Sequence, residues 1–313
     1  SEMCIRDRFD NLRVALRWLL ARGDVERSQR LILVMGALWE ALGCLSEGRE
    51  RLLSVLALEG PRSPLRGEVL RDAGWLCWRQ GDYLASRSYW TDDLAIRREM
   101  DDRLGVAFSL NWLGVVARDQ GDYVTARAML AESLTLYRAL DNRQGVSDSL
   151  ARLGSVAHVL GDLEAAHAQF EESLAIRQEL GDRRAVAWIS FCLGLLALDR
   201  GDFTAAQSRY QESMPLFQSS NDKRAVLHAL ALGSTLAAAT SRADRALRLA
   251  GAISALSEAT TVRLPVPYHD ILERWLDGAR RSMSEEAAAA WAEGQAMTLE
   301  QAVTLAQQED FNT

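Results

Sequence analysis

The sequence contains a single lysine, Lys223, among its 36 basic residues. A phosphate-binding loop requires a lysine after a run of glycines, and Lys223 stands in the unrelated context Asn-Asp-Lys-Arg-Ala. The other 35 basic residues are arginines scattered along a chain whose net charge is −7. Because affinity for phosphate needs a concentrated basic face, this pattern argues against direct nucleic-acid binding.

Cysteine pairs and long apolar runs are also lacking. The four cysteines include no C-x-x-C motif, which predicts reduced thiols in a cytoplasmic protein. The longest apolar run, residues 31–39, is about half of the roughly 18 residues that a membrane span requires. We therefore expect neither disulfides nor a membrane segment.

Signatures of catalysis are missing as well. None of the four histidines has the spacing of a zinc site, and no Gly-x-Ser-x-Gly sequence occurs. Carboxylate pairs such as Asp92-Asp93 and Glu171-Glu172 fall at positions expected on solvated helix faces. The sequence thus predicts a protein that is not an enzyme and that holds no cofactor or metal.

Residues 1–8 look foreign to the rest of the chain. They resemble the translation of a sequencing adapter fused to a gene fragment, so they are left out of the fold prediction. We expect the native N-terminus to lie upstream of residue 9.

A Gly-Asp pair recurs four times at a constant step along the chain. Another glycine precedes each pair by seven positions, and an Asp or Asn followed by a base comes midway to the next pair. Glycine ends helices because it reaches the left-handed conformation, and Asp or Asn caps the next helix. A fixed period of 20–50 residues is typical of stacked repeats. The pairs are Gly81-Asp82, Gly121-Asp122, Gly161-Asp162 and Gly201-Asp202.

Each repeat is predicted to be a helical hairpin. Leu110, Leu113, Gly114 and Ala117 form one apolar stripe on the first helix, helix A, as Ala126 and Leu130 do on the second, helix B. Turns of two or three residues make neighbouring helices antiparallel.

The array has less regular ends. Residues 9–60 are expected to form degenerate repeats, residues 61–259 four regular units and a fifth with Thr240-Ser241 at its turn, and residues 260–313 capping helices. Proposed local signals are Ser46 as a cap, Pro215 as a helix breaker, and the capping boxes Ser282–Glu285 and Thr298–Gln301.

The repeat columns resemble the tetratricopeptide repeat. The resemblance rests on Leu113-Gly114 at the small-residue crossing, on Gly121-Asp122-Tyr123 at the turn, and on Ala126 and Leu130 facing helix A. It implies an all-α, right-handed α-solenoid of antiparallel hairpins with a C-terminal helical cap. The 40-residue step exceeds the usual 34 of that family, which predicts longer helices.

The ends of the chain are similar to a particular bacterial arrangement. Residues 10–18, 45–49, 291–294 and 299–303 resemble the tetratricopeptide region that follows the nucleotide-binding module of signal-transducing ATPases, many of them LuxR- or SARP-type transcriptional regulators. The resemblance implies a sensor arm whose ATPase and DNA-binding domains lie outside this chain. The alternative is a free-standing scaffold that joins two proteins without switching.

In this family the A helices line a concave groove. Counting the repeat glycine as position 8, positions 2, 5, 9, 12 and 13 of helix A should face a protein, peptide or small inducer there. Aromatic and arginine side chains, which concentrate binding energy, dominate these positions. The predicted binding residues are Arg71, Trp75, Trp78, Arg79, Phe108, Asn111, Arg118, Asp119, His158, Trp188 and Phe191.

Two alternatives bear on this prediction. Trp75, Trp188 and Phe191 would instead pack between neighbouring units, whereas Trp112 is expected in the core on either interpretation. If the groove is open, Arg71, Arg79 and Arg118 offer bidentate sites for an acidic ligand.

Overall fold

The computed structural model describes residues 2–41, 44–219, 223–260, 264, 266–282 and 286–307. These residues form an all-α structure without a strand. The helices are α1 (Glu2–Ala21), α2 (Val25–Ala41), α3 (Leu45–Leu56), α4 (Pro64–Arg79), α5 (Tyr83–Glu99), α6 (Arg103–Asp119), α7 (Tyr123–Ala139), α8 (Arg143–Val159), α9 (Leu163–Glu179), α10 (Arg183–Asp199), α11 (Phe203–Ser219), α12 (Lys223–Ala239), α13 (Ala243–Thr260), α14 (Val266–Ser282), α15 (Ala287–Gln295) and α16 (Leu299–Gln307).

The chain divides into two compact units, residues 1–141 and residues 142–313. Unit 1 holds the hairpins α4/α5 and α6/α7, and unit 2 holds α8/α9, α10/α11 and α12/α13. The predicted all-α repeat fold is confirmed. The division falls inside the predicted array, and the domain boundaries drawn from sequence stay predictions.

The Gly-Asp turns work as the sequence predicts. The four glycines have φ between +76° and +81°, and the Asp after each accepts a hydrogen bond from the backbone N–H three residues on. Asp102, Asn142 and Asp182 cap the A helices in the same way. Both turns of a repeat are therefore set by local chemistry.

In the hairpins α4/α5, α6/α7 and α8/α9, helix A meets helix B at the glycine column. A Cβ added at Gly114 would lie 2.6 Å from Leu130 Cγ, and one at Gly154 would lie 2.8 Å from Phe170 Cε1. Leu130 and Phe170 are fully buried. A larger residue at these glycines would push the two helices apart, because backbone and side chain already touch.

Of the helix caps predicted outside the regular repeats, one is confirmed and one is wrong. Thr298 and Gln301 form the expected reciprocal capping box, with bonds of 2.8 and 3.2 Å. The cap predicted at Ser46 is wrong, because α3 begins one residue earlier and Cys44 occupies its N-cap position. Glu285, to which the other predicted capping box refers, lies outside the described residues.

Pro215 does not shorten its helix, since α11 runs for 17 residues like the other regular helices.

The C-terminal helices share a hydrophobic core with the repeat helices. Residues of α12, α13, α14, α15 and α16 contribute to one hydrophobic core with those of α10. Within the described part of the chain, no helix is long and apolar enough to cross a membrane.

The Gly121→Val variant tests the turn. No atom lies within 4 Å of a Cβ added there, so its cost arises from the backbone at φ +81° alone. We expect Gly121→Val to lower the stability by about 1–2 kcal/mol, and Gly121→Asn by clearly less, because asparagine tolerates the left-handed region. Urea unfolding followed by circular dichroism measures both; equal losses would contradict the account.

Candidate partner-binding surface

The predicted binding residues lie on the A helices of both units. We call the surface formed by helix A positions 2, 5, 9, 12 and 13 the helix A face, and take each unit by itself. In unit 1, α4 and α6 hold Arg71, Trp75, Trp78, Arg79, Phe108, Asn111, Arg118 and Asp119. In unit 2, α8 and α10 hold His158, Trp188 and Phe191.

Five of the predicted binding residues of unit 1 are partly exposed, and two arginines among them lie over aromatic rings. The guanidinium carbon of Arg71 is 4.0 Å from the Phe108 ring centroid, and that of Arg79 is 4.9 Å from the Trp75 centroid. These cation–π contacts hold the positive charges at the surface in defined positions. The five are Arg71, Trp75, Trp78, Arg79 and Phe108.

Phe108 and, through Trp112, Trp78 pack against a buried tryptophan. Trp90, 1% exposed, stacks on Trp112 with centroids 5.4 Å apart, and Trp112 meets Trp78 edge-on at 5.2 Å. Phe108 lies 5.9 Å from Trp90. Trp112, predicted to be core, is partly exposed and links the buried ring to the surface.

Three other residues predicted to face solvent are buried. Arg118 and Asp119 pair at 2.8 Å with side chains only 6% and 1% exposed, and Trp78 Nε1 donates to Asp119 Oδ2 at 2.8 Å. Asn111, 3% exposed, donates to Ser133 Oγ of helix B at 3.3 Å. The expectation that these side chains are open to solvent is wrong, because each satisfies its polar groups inside the unit. Their role in binding stays a prediction.

In unit 2 the helix A face carries another helix of the same chain. The Tyr268 hydroxyl of α14 bonds to Ser155 Oγ and lies 3.3 Å from Cys192 Sγ. The Tyr268 ring lies 5.2 Å from Trp188 and 5.4 Å from Phe191. Phe191 is fully buried and Trp188 partly so, which is the inward packing considered as the alternative.

The Asp199 carboxylate ties α14 to the end of α10. It accepts hydrogen bonds from His158 Nε2 at 2.9 Å, from Arg274 Nη2 at 2.5 and 2.6 Å, and from Trp275 Nε1 at 3.3 Å. Burial opposes ionisation of Asp199, but the hydrogen bonds from His158 and Arg274 outweigh it and hold its pKa below the usual value. His158 is itself 5% exposed, contrary to prediction. No motif of the sequence singled out Tyr268, Arg274 or Trp275.

The two units repeat one polar pattern at a spacing of two hairpins. The pair Trp78–Asp119 recurs as His158–Asp199. Arg97 bonds to Glu68 at 2.7 Å and Asp102 at 3.0 Å, and the corresponding arginine of unit 2 bonds to acids at the same two columns. The polar pattern thus recurs after two hairpins, whereas the turns and caps recur at every hairpin. The corresponding residues are Arg177, Asp148 and Asp182.

The prediction that Asp93 lies on a solvated helix face is wrong. This carboxylate is fully buried and bonds to Arg97 Nε at 3.0 Å and to Ser109 Oγ at 2.6 Å. Burial raises the pKa of Asp93, and the bonds from Ser109 and Arg97 only partly offset this. Among the described residues, no group of His, Cys, Asp and Glu side chains could hold a metal.

Comparisons with known proteins agree with the repeat pattern. Residues 105–179 match the tetratricopeptide repeat family. No curated protein matches the chain in sequence.

Solved structures show the same kind of fold. A Rap protein complexed with Competence and Sporulation Factor is 16% identical, with a TM-score of 0.64 over 91% of this chain and 74% of that one. The Rap conjugation gene regulator of plasmid pLS20, in complex with the Phr* peptide, is 15% identical, with a TM-score of 0.59 over 84% and 76%. BtubC (BKLC) from P. vanneervenii is 18% identical, with a TM-score of 0.55 over 68% and 92%.

Asp72, next to Arg71 on α4, should make the stability depend on pH. Burial raises its pKa to about 6 from 3.8, so from about pH 4 to 6 the folded state binds more protons than the unfolded state. Stability due to this group therefore falls as pH rises through that window and is constant above it. Asp72→Asn should be more stable than the wild type by about 1–3 kcal/mol at pH 7.5 and by about a third of that at pH 4.5.

Urea unfolding at the two pH values measures this difference. The control is Asp92→Asn, the same substitution at an exposed position. An Asp72→Asn effect that does not change with pH would contradict the assignment.

The Arg274–Asp199 ion pair should contribute to holding α14 in place. A double-mutant cycle with Arg274→Ala and Asp199→Asn should give a coupling of about 1 kcal/mol, since Asp199 is mostly buried while Arg274 is 61% exposed. The matched control is the exposed pair Arg62–Glu99, which should couple by about 0.5 kcal/mol or less. Equal coupling in the two cycles would show that α14 is not held by Asp199.

Proposed function

We propose that the chain is a protein- or peptide-binding module that serves as the sensor arm of a bacterial transcriptional regulator or signal-transducing ATPase. The observation that carries the binding role is the helix A face of unit 1, where Trp75, Trp78 and Phe108 are partly exposed and Arg71 and Arg79 lie over the rings. Tryptophan and arginine are the residues in which binding energy concentrates.

The geometry favours this face because its side chains are already positioned. Rings supported by Trp90 and guanidiniums held by cation–π contacts lose little conformational freedom when a partner binds. In unit 2, by contrast, Tyr268 and Arg274 of the chain itself contact the corresponding positions. We therefore assign partner binding to unit 1.

Two of the similar structures support the choice of ligand class. One Rap protein is held with Competence and Sporulation Factor, and the conjugation gene regulator with the Phr* peptide. The sensor role rests on the resemblance of the chain ends to regulator ATPases. In that role a partner shifts the population towards the conformation that it binds more tightly.

The test compares capture from bacterial lysate by three forms of the full chain. Wild type and Arg127→Ala, which removes an exposed arginine of helix B, should retain the same partner, and Trp75→Ala/Arg79→Ala should lose it. With the purified partner, the double variant should bind at least about tenfold more weakly, as the loss of a binding hot spot implies. Equal retention by all three would exclude this face.

A further inference from the structure

The contact of α14 with unit 2 shows how a helix sits on a helix A face. Tyr268 lies against Trp188 and Phe191 in the first half of α10, and Arg274 reaches Asp199 at its C-terminal end. Side chains of α14 therefore contact α10 in the order of the chain, first at positions 2 and 5 of the repeat and then at position 13.

The helix that occupies this face is amphipathic. Its buried side chains recur at intervals of three or four residues, with Tyr268 2% and Leu276 0% exposed. Its charged side chains lie on the opposite side, where Arg274 reaches back to Asp199 from a largely exposed position. The buried set is Tyr268, Ile271, Leu272, Leu276 and Ala279.

Unit 1, two hairpins earlier in the chain, keeps an aromatic residue at position 2 and an Asp at position 13, but it has Asn111 at position 5 in place of Phe191. Phe108 stands where unit 2 has Trp188, and Asp119 stands where it has Asp199. Asp119, however, already pairs with Arg118 of its own helix, whereas position 198 is a leucine and Asp199 takes its guanidinium from Arg274.

The surface cations of unit 1 also have no counterpart in unit 2. Arg71 and Arg79 correspond to Ala151 and Val159. Glu68 accepts hydrogen bonds from both Arg71 and Arg97. The unit 1 face therefore carries two partly exposed arginines at positions where the unit 2 face has apolar residues.

We infer that the helix A face of unit 1 binds an amphipathic helix of a partner protein, one that carries Asp or Glu on the side facing Arg71 and Arg79. This inference rests on the proposed partner-binding function and names the partner's chemistry. Apolar side chains of the partner helix contact Trp75, Trp78 and Phe108. Its carboxylates pair with the two guanidiniums, whose planar donors match a carboxylate bidentately.

The experiment is a selection from a random 17-residue peptide display library against the full chain. Enriched peptides should be acidic, with apolar residues at i, i+3 or i+4, and i+7. They should bind Arg127→Ala like the wild type, and Arg71→Ala/Arg79→Ala at least tenfold more weakly. A proline at the centre of a selected peptide should abolish binding, because it breaks the helix.

The control peptide has the sequence of residues 266–282, which carries Arg274 and should bind at least tenfold more weakly than the acidic peptides. Selected peptides that are basic, or that tolerate the central proline, would overturn the inference. If such peptides still lose affinity for Trp75→Ala/Arg79→Ala, the proposed function stands. If no selected peptide depends on this face, or none is enriched, both fall.

Discussion

The hairpins α4/α5, α6/α7 and α8/α9 depend on the close approach of helix A to helix B at one glycine in each. At Gly74, Gly114 and Gly154 a Cβ would come within 2.6–2.9 Å of the large side chain that helix B inserts at that point. The inserted residue changes from Trp90 to Leu130, so the crossing fixes the backbone and not the side chain. With the crossing fixed, the outward side of helix A can vary, and that side forms the candidate binding surface.

The polar contacts of the A helices recur after two hairpins. Arg97 and Arg177, which occupy the same column in units 1 and 2, each join the cap of the following helix A to an acid on the preceding one. The carboxylates Asp119 and Asp199 recur at the same spacing, yet one is neutralised by its neighbour Arg118 and the other by α14. The face that receives a helix from the same chain and the face proposed to receive a partner thus differ in how this carboxylate is paired.

The sequence predicted the repeat, its turns and most caps because these depend on residues within a few positions of one another. It also assigned the candidate residues to the A helices. What it did not predict was exposure, since burial depends on distant contacts. Tyr268 covers Phe191 from a remote part of the sequence, and Asp93, expected in solvent, is buried because Ser109 and Arg97 satisfy it. The periodicity of the sequence shows which residues share a face of a helix, but it does not show which other parts of the chain cover that face.

The central claim is that α14 fills the helix A face of unit 2 as a fixed part of the fold. Amide hydrogen exchange of the full chain, followed by mass spectrometry, tests it most directly. Residues 266–282 should exchange as slowly as α12 and α13, with which they share a core. Exchange of these residues at the rate of an unfolded chain, with α12 and α13 still protected, would contradict it.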